Sequence, residues 1–264
     1  MMQSRKIGKG IGRKMAVYDM IFKRKSFHLF RNIGEEKLTE EDLRQIRSAY
    51  EKIIPLCPDI KTAIRFRPAK EKGLGRGAEY AIEIYSERKE NYLMNLGYIG
   101  EQLDLWLVSQ NIGSLWFGLG KPEEESYQDL PFGIMILIAK VDSPEKFRKD
   151  LLRSKRLSAE EIWQGEQIPG VSELALFAPS ACNSQPWRVK REGSCLQIYR
   201  FRRPGKIGIM PSHMVGFFNR IDMGIYLCFL ELCLQHEGYS FSRTLFADDG
   251  SDREWTLNAE YRLD

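Results

Sequence analysis

The chain has 264 residues, of which 43% are hydrophobic and 11% aromatic, so it can bury one large core or two smaller ones. Its 40 basic and 36 acidic residues leave a net charge of only +4, too small to indicate a nucleic-acid partner. The sequence has no run of about 18 apolar residues, which a membrane-spanning helix would need. We therefore expect a cytoplasmic protein that binds neither nucleic acid nor membrane.

The cysteines and histidines indicate neither disulfides nor a metal site. The five cysteines are odd in number and contain no CxxC pair, so we predict reduced thiols. The three histidines are scattered and have no zinc-ligand spacing.

The sequence pattern of the first half of the chain predicts helices, strands and one long central helix. Residues 1–15 are basic and no apolar stretch follows them, so we predict a loosely attached tail and not a secretory signal. Periodicity and end signals then predict helices over 16–22 and 39–54, the second with Thr39 as N-cap. They also predict a strand over 80–85, a long helix over 91–111 with Gly113 as C-cap, and a strand over 132–139 buried on both faces.

The same order of elements then begins again. The pattern predicts a helix over 170–177, a strand over 196–199 and a long apolar helix over 213–236. Asn95 and Gly100 of the first long helix match Asn219 and Gly224 of the second at the same spacing, and Ile84-Tyr85 matches Ile198-Tyr199. We interpret this as an internal duplication, with a chance match of two apolar helices as the alternative. The glycines are expected to let two long helices approach closely.

The most specific segment is Ala178-Pro-Ser-Ala-Cys-Asn-Ser-Gln-Pro-Trp187. Its hydroxyl and amide groups can pair with the carbonyl oxygens, ring nitrogens and ribityl hydroxyls of a flavin without adding a full charge. The plainer interpretation is a polar turn that caps a helix.

This segment resembles the flavin-binding motif of the nitroreductase family, and further segments resemble other parts of that family in the same order. Arg24-Lys25-Ser26 resembles its early basic triplet, which binds the FMN phosphate. The run from Gly113 to Pro122 resembles its glycine-containing loop near the flavin edge. The run Arg153-Ser154-Lys155-Arg156-Leu157-Ser158 resembles its late basic segment, which returns to the phosphate. The resemblance implies cofactor-binding roles for Arg24, Lys25, Ser26, Gly118, Leu119, Gly120, Lys155, Arg156, Pro179, Ser180, Asn183 and Gln185.

The chain departs from the family pattern in where the motif lies. The motif follows the early basic triplet in the family, but here Leu56–Lys61 occupies that place and the motif appears only in the second half. Family members are intertwined homodimers, so we interpret the chain as two repeats fused into a pseudo-dimer. This predicts an α+β, nitroreductase-like fold in which each repeat has a mixed β-sheet packed with helices around a long central helix. The expected divisions are a basic tail (1–15), a first repeat (16–157) and a second, degenerate repeat (158–264).

The resemblance implies an FMN-dependent oxidoreductase. NAD(P)H would give hydride to flavin N5, and a small organic electron acceptor would then take it, with no dedicated catalytic side chain and no metal. The fused chain is expected to be a monomer with pseudo-two-fold symmetry. Two other functions stay open: an FMN-binding or storage protein without turnover, and a degenerate scaffold without FMN.

Overall fold

The computed structural model describes residues 5–7, 17–69, 75–151, 155–202, 208 and 210–264. The chain forms two compact units. The first unit is Asp19–Leu151, and the second unit combines Met1–Tyr18 with Leu152–Asp264. The division between the units therefore falls a few residues before the expected one, and Lys155 and Arg156 belong to the second unit.

Part of the expected N-terminal tail is a strand. Strand β1 (Arg5–Ile7) pairs antiparallel with residues 241–243, so this short stretch is attached to a sheet and the prediction of a loose tail is wrong there. Backbone hydrogen bonding to an open sheet edge explains the difference, because it depends little on side-chain pattern. The rest of the tail, together with Arg153 and Ser154 of the late basic segment, lies outside the described residues.

The first unit contains one sheet and one long helix. Its helices are α1 (Met20–Lys23), α2 (Glu40–Tyr50) and α3 (Tyr92–Ser109). Its strands are β2 (Thr62–Pro68), β3 (Tyr80–Ser86), β4 (Ile112–Trp116), β5 (Ser126–Tyr127) and β6 (Leu130–Lys140). The sheet has the order β2-β3-β6-β4, with β5 paired to β6. Every residue from Ile134 to Ala139 is buried, which confirms the strand predicted to be covered on both faces.

The second unit has the larger sheet. Its short helices are α4 (Ala159–Ile162) and α5 (Ser172–Ala175), and its long helix is α6 (Val215–His236). Its further strands are β7 (Trp163–Gln164), β8 (Trp187–Glu192), β9 (Cys195–Phe201), β10 (Phe241–Leu245) and β11 (Trp255–Leu263). The sheet order is β1-β10-β11-β9-β8-β7. Alternate residues of β9 are buried, and ring stacking of Trp187 on Tyr226 joins β8 to α6.

The prediction for Gly113 is wrong. Gly113 does not cap the first long helix but lies in β4, because the chain turns at Gln110 and Asn111 and enters the sheet directly. A Cβ on Gly100 would lie 2.4 Å from the ring of Trp116, so the missing side chain of Gly100 accommodates that indole.

The predicted N-cap of α2 is confirmed. The Thr39 hydroxyl accepts a hydrogen bond from Asp42 N at 3.1 Å, and Thr39 N donates to Asp42 Oδ2 at 2.8 Å, which completes a capping box. We expect Thr39→Ala to lower the free energy of unfolding by about 1 kcal/mol, measured by urea denaturation. Arg44→Ala on the exposed face of the same helix should change it by less than about 0.5 kcal/mol. Equal effects of the two substitutions would contradict the assigned cap.

Candidate functional site

The motif Ala178–Trp187 forms the connection between α5 and β8. Three of its residues, Cys182, Asn183 and Gln185, have φ values of 50°, 54° and 47°, in the left-handed region. Non-glycine residues adopt this conformation uncommonly and at some cost in free energy, which the contacts of the loop must offset. The loop from Ser180 to Gln185 is called here the motif loop.

The motif loop is held from one side by the late basic segment. Arg156 Nη1 donates to Asn183 Oδ1 at 2.6 Å, and Asn183 Nδ2 donates to the Lys155 carbonyl at 2.9 Å. The backbone N of Leu157 donates to Gln185 Oε1 at 2.8 Å. Within the loop, Gln185 N donates to the Ser180 hydroxyl oxygen at 3.0 Å. The structure thus brings together five of the predicted site residues of the second unit, while Pro179 is buried beside them.

The motif loop is held from the other side by α6. The backbone N of Ala181 donates to Asp222 Oδ1 at 2.9 Å. The Ser184 hydroxyl lies 3.1 Å from Asp222 Oδ2 and 3.2 Å from Asn219 Oδ1. Burial raises the pKa of Asp222 to about 7, although the hydrogen bonds from Ala181 and Ser184 act in the opposite direction.

Arg24, the first residue of the early basic triplet, lies in a buried ionic cluster of the first unit. Arg24 is 3% exposed, and its Nε donates to Asp104 Oδ2 at 2.9 Å and lies 3.6 Å from Glu101 Oε1. Burial disfavours its charge, but Asp104 and Glu101 more than offset this and raise the pKa of Arg24. Burial, followed by the nearby Asp104, raises the pKa of Glu101. Asp104 also accepts a hydrogen bond from Ser114 of β4.

The two Nη nitrogens of the Arg24 guanidinium have only part of their hydrogen bonds satisfied. Nη1 donates to the Ser26 hydroxyl at 3.3 Å. Nη2 is buried and has no hydrogen-bond partner among the described residues. A buried guanidinium nitrogen without an acceptor is costly, so this position is suited to an anionic oxygen.

Two more cations lie in the same part of the first unit. Lys25 Nζ lies 4.6 Å from the centre of the Phe27 ring, and burial lowers the pKa of Lys25. The backbone N of Arg148 donates to the Lys23 carbonyl at 2.8 Å. Burial and then the charge of Arg24 lower the pKa of Arg148 to about 10. Within the part of the chain that the structure describes, no carboxylate pairs with Lys25 or Arg148.

The predicted glycine loop is shorter than expected. Residues 113–116 form β4, and only Phe117–Gly120 makes a turn. A Cβ on Gly120 would lie 2.4 Å from Met135 Sδ, so packing against β6 already requires this glycine. Leu119 at the tip is 57% exposed. The turn continues from β4, whose Ser114 forms a bridge with Ser26.

Three residues with a place in this geometry were not selected from the sequence. Asp104 and Asp222 are acidic residues in mostly apolar helices, a signal that could have drawn attention to them. Arg148 lies in a charged run that ordinarily forms a solvated surface, so nothing in its local sequence distinguishes it. The sequence-predicted residues form two groups, one in each unit.

The fold is that of a nitroreductase-like α+β protein. It is similar to the crystal structure of a putative nitroreductase from Thermotoga maritima MSB8, with a TM-score of 0.58, 19% sequence identity and coverage of 97% of this chain and 96% of that one. The family model described as "Putative TM nitroreductase" matches residues 16–234. The chain belongs to this family, which places it among the oxidoreductases. The search of curated proteins gave no significant match. Among the described residues, no helix is both long and apolar enough to cross a bilayer.

Proposed function

We propose that the protein is an FMN-dependent oxidoreductase that uses NAD(P)H to reduce a small organic acceptor. FMN, when bound, would supply the hydride-transfer chemistry that links the nicotinamide donor to the organic acceptor. The protein's own residues bind and orient the flavin, and no side chain is assigned as a proton donor or acceptor.

The observation that carries this proposal is the unsatisfied Arg24 Nη2. Asp104 holds Nε of the same guanidinium, so the side chain is fixed while one nitrogen remains open to an acceptor. Lys25 and Arg148 add positive charge that no described carboxylate neutralises. A phosphate dianion offers oxygens for such donors, and the donor set therefore fits the phosphate end of FMN.

The motif loop supplies the second group of proposed FMN contacts. This group in the second unit comprises Lys155, Arg156, Pro179, Ser180, Asn183 and Gln185. The proposed contacts of the first unit also include Gly118–Gly120. The Asn183 and Gln185 amides are held by hydrogen bonds within the second unit, so they are preoriented. The Ser180 hydroxyl accepts from Gln185 N and retains its own proton for donation to a ligand.

The two units support the proposed duplication and pseudo-dimer. Their sheets contain strands in the same order, β2-β3-β6-β4 and β8-β9-β11-β10, with a long helix after the second strand of each. Asn95 Oδ1 accepts from Cys57 N at 3.0 Å, and Asn219 Oδ1 lies 3.2 Å from the Ser184 hydroxyl. Each asparagine thus contacts the segment that precedes the first of the four matched strands, β2 or β8. The hydroxyls of Tyr85 and Tyr199 each donate at 2.9 Å to the residue two positions earlier.

A fused pseudo-dimer is expected to be a monomer in solution. Light scattering should then give a mass near the 30.7 kDa of one chain. A stable dimer would contradict the proposal that the fusion replaces the subunit contact of family homodimers.

We expect the purified protein to be yellow and to absorb at about 450 nm, as oxidised flavins do. NADH or NADPH should bleach this absorbance under anaerobic conditions. Addition of a nitroaromatic or quinone should restore the colour. Retained flavin without bleaching would favour a storage protein. Failure to bind added FMN would favour a scaffold and would contradict the proposed function.

We expect the double substitution Ser180→Ala and Asn183→Ala to weaken FMN binding about tenfold, the loss of one or two hydrogen bonds. Flavin fluorescence quenching measures the dissociation constant. Cys182→Ala, an exposed change in the same loop, is the matched control and should stay within about twofold of wild type. Unchanged binding by the double variant would remove the motif loop from the proposed site.

A further inference from the structure

The Ser184 hydroxyl has two acceptors but only one proton. Its oxygen lies 3.1 Å from Asp222 Oδ2 and 3.2 Å from Asn219 Oδ1. If Asp222 is ionised, the hydroxyl can donate to only one of the two oxygens. If Asp222 carries a proton on Oδ2, Asp222 donates to Ser184 and Ser184 donates to Asn219, so both short contacts become hydrogen bonds.

The surroundings of Asp222 also favour the protonated form. Asp222 is 3% exposed on α6, and its described partners are the neutral groups of Ala181 and Ser184. Among the described residues, the charged side chains of neighbouring elements bond other groups: Arg156 bonds Asn183, Arg188 bonds the carbonyls of Gln185 and Trp187, and Arg200 and Arg220 bond Asp248. Glu173 of α5 is exposed. A buried carboxylate without a cation gains a proton more readily than an exposed one.

We propose that Asp222, Ser184 and Asn219 form a proton-dependent clamp, which holds the motif loop in its FMN-binding conformation while Asp222 is protonated. Loss of the proton leaves a buried charge, which is relieved when the loop moves and water reaches the carboxylate. Asp222 is thus a positioning residue that acts through the loop. This inference rests on the proposed function for its FMN readout, but the conformational clamp does not depend on flavin.

The direction of the pH effect follows from the raised pKa of Asp222, about 7 against about 3.9 for an exposed aspartate. The stability contributed by protonated Asp222 is complete below the unfolded value and is lost as the pH rises through the folded value. The contribution of protonated Asp222 to stability therefore declines between about pH 4 and about pH 7. We expect the clamp to loosen, and FMN affinity to fall, between pH 6 and pH 8.

Asp222→Asn tests the clamp because asparagine resembles protonated aspartate. Its oxygen can accept from Ala181 N, and its amide can donate to Ser184. We expect FMN affinity within about twofold of wild type at pH 6 and without the wild-type decline towards pH 8. Asp222→Ala removes the clamp at every pH, so at pH 6 and at pH 8 it should bind FMN about tenfold more weakly than wild type binds FMN at pH 6. Glu231→Gln, a buried acid of the same helix that pairs with Arg243 and Tyr261, is the control and should keep the wild-type pH dependence.

Hydrogen exchange distinguishes failure of the clamp from failure of the proposed function. The Ala181 amide bonds Asp222 directly, so its protection factor, corrected for the intrinsic pH dependence of exchange, should fall at least threefold from pH 6 to pH 8 in wild type and stay constant in Asp222→Asn. The phosphate of FMN itself titrates at about pH 6. The pH dependence of FMN affinity in wild type is therefore compared with that in Asp222→Asn. If the protection profiles of wild type and Asp222→Asn are identical, the clamp is wrong even when FMN binds. If protection behaves as expected but FMN does not bind, only the proposed function fails.

Discussion

Replacing Arg24 with alanine is expected to lower FMN affinity about 100-fold, because charge-assisted bonds to the phosphate are lost from a buried, fixed guanidinium. Equilibrium titration of the apoprotein with FMN measures this effect. Arg24→Lys should recover little of it, since an ammonium cannot bond Asp104 and a phosphate with the same fork geometry.

Arg24→Ala will also destabilise the first unit, since it leaves Asp104 buried without its cation. Removal of one partner from a buried ion pair costs about 3–5 kcal/mol. Arg24→Ala combined with Asp104→Asn should recover much of that stability without recovering FMN binding. If the double variant folds and binds FMN as wild type does, Arg24 is not a phosphate ligand. Arg44→Ala, which breaks an exposed ion pair of α2, should change neither property.

The second large effect is expected at Arg200, and it concerns stability alone. Arg200 on β9 is fully buried and donates to both carboxylate oxygens of Asp248, at 2.7 and 2.9 Å. Asp248 also accepts from Asn258 Nδ2 and Gly250 N, each at 2.9 Å. Arg200→Ala leaves this network with an unpaired buried carboxylate, so we expect the free energy of unfolding in urea to fall by about 3–5 kcal/mol.

The connection that contains Asp248 also offers a matched control. Arg253 pairs with Asp249 at 3.2 Å, and both side chains are more than 60% exposed, at 62% and 63%. Arg253→Ala should therefore cost less than about 1 kcal/mol. Burial raises the pKa of Asp248, but Arg200 and the hydrogen bonds from Asn258 and Gly250 lower it further, so the net change is a decrease. The stabilisation by this pair is present above the unfolded pKa of aspartate and should be lost as the pH falls through the folded value. Similar losses for Arg200→Ala and Arg253→Ala would contradict this account.

The sequence predicted elements well where the signal lies within the element itself. The N-cap at Thr39 and the apolar run of β6 were predicted because their signals are local. Strand β8 was missed because Arg188, Lys190 and Arg191 interrupt its apolar residues, and its place depends on pairing with β9. Such long-range pairing is absent from local periodicity.

The site residues show the same limit. The motif from Pro179 to Trp187 was specific enough to predict a family, which the family model confirms over residues 16–234. No pattern could show that Lys155 and Arg156 bond the motif loop or that Arg24 is enclosed by acids of α3, since these contacts join residues 27 and 80 positions apart. Sequence patterns indicate residue types; the partners are determined by tertiary packing.

The pairing of β1 with β10 has a consequence for the order in which the protein is synthesised. A ribosome releases the first unit's sheet as one continuous segment, so all its partners are available early. Residues 5–7 must instead wait for residues 241–243, the next-to-last strand of the chain. The ring of Tyr18 likewise awaits His236, on which it stacks with 3.7 Å between ring centres. These contacts join residues more than 200 positions apart and form only late in synthesis. We therefore expect completion of the second unit to be the slow, chaperone-sensitive step of folding.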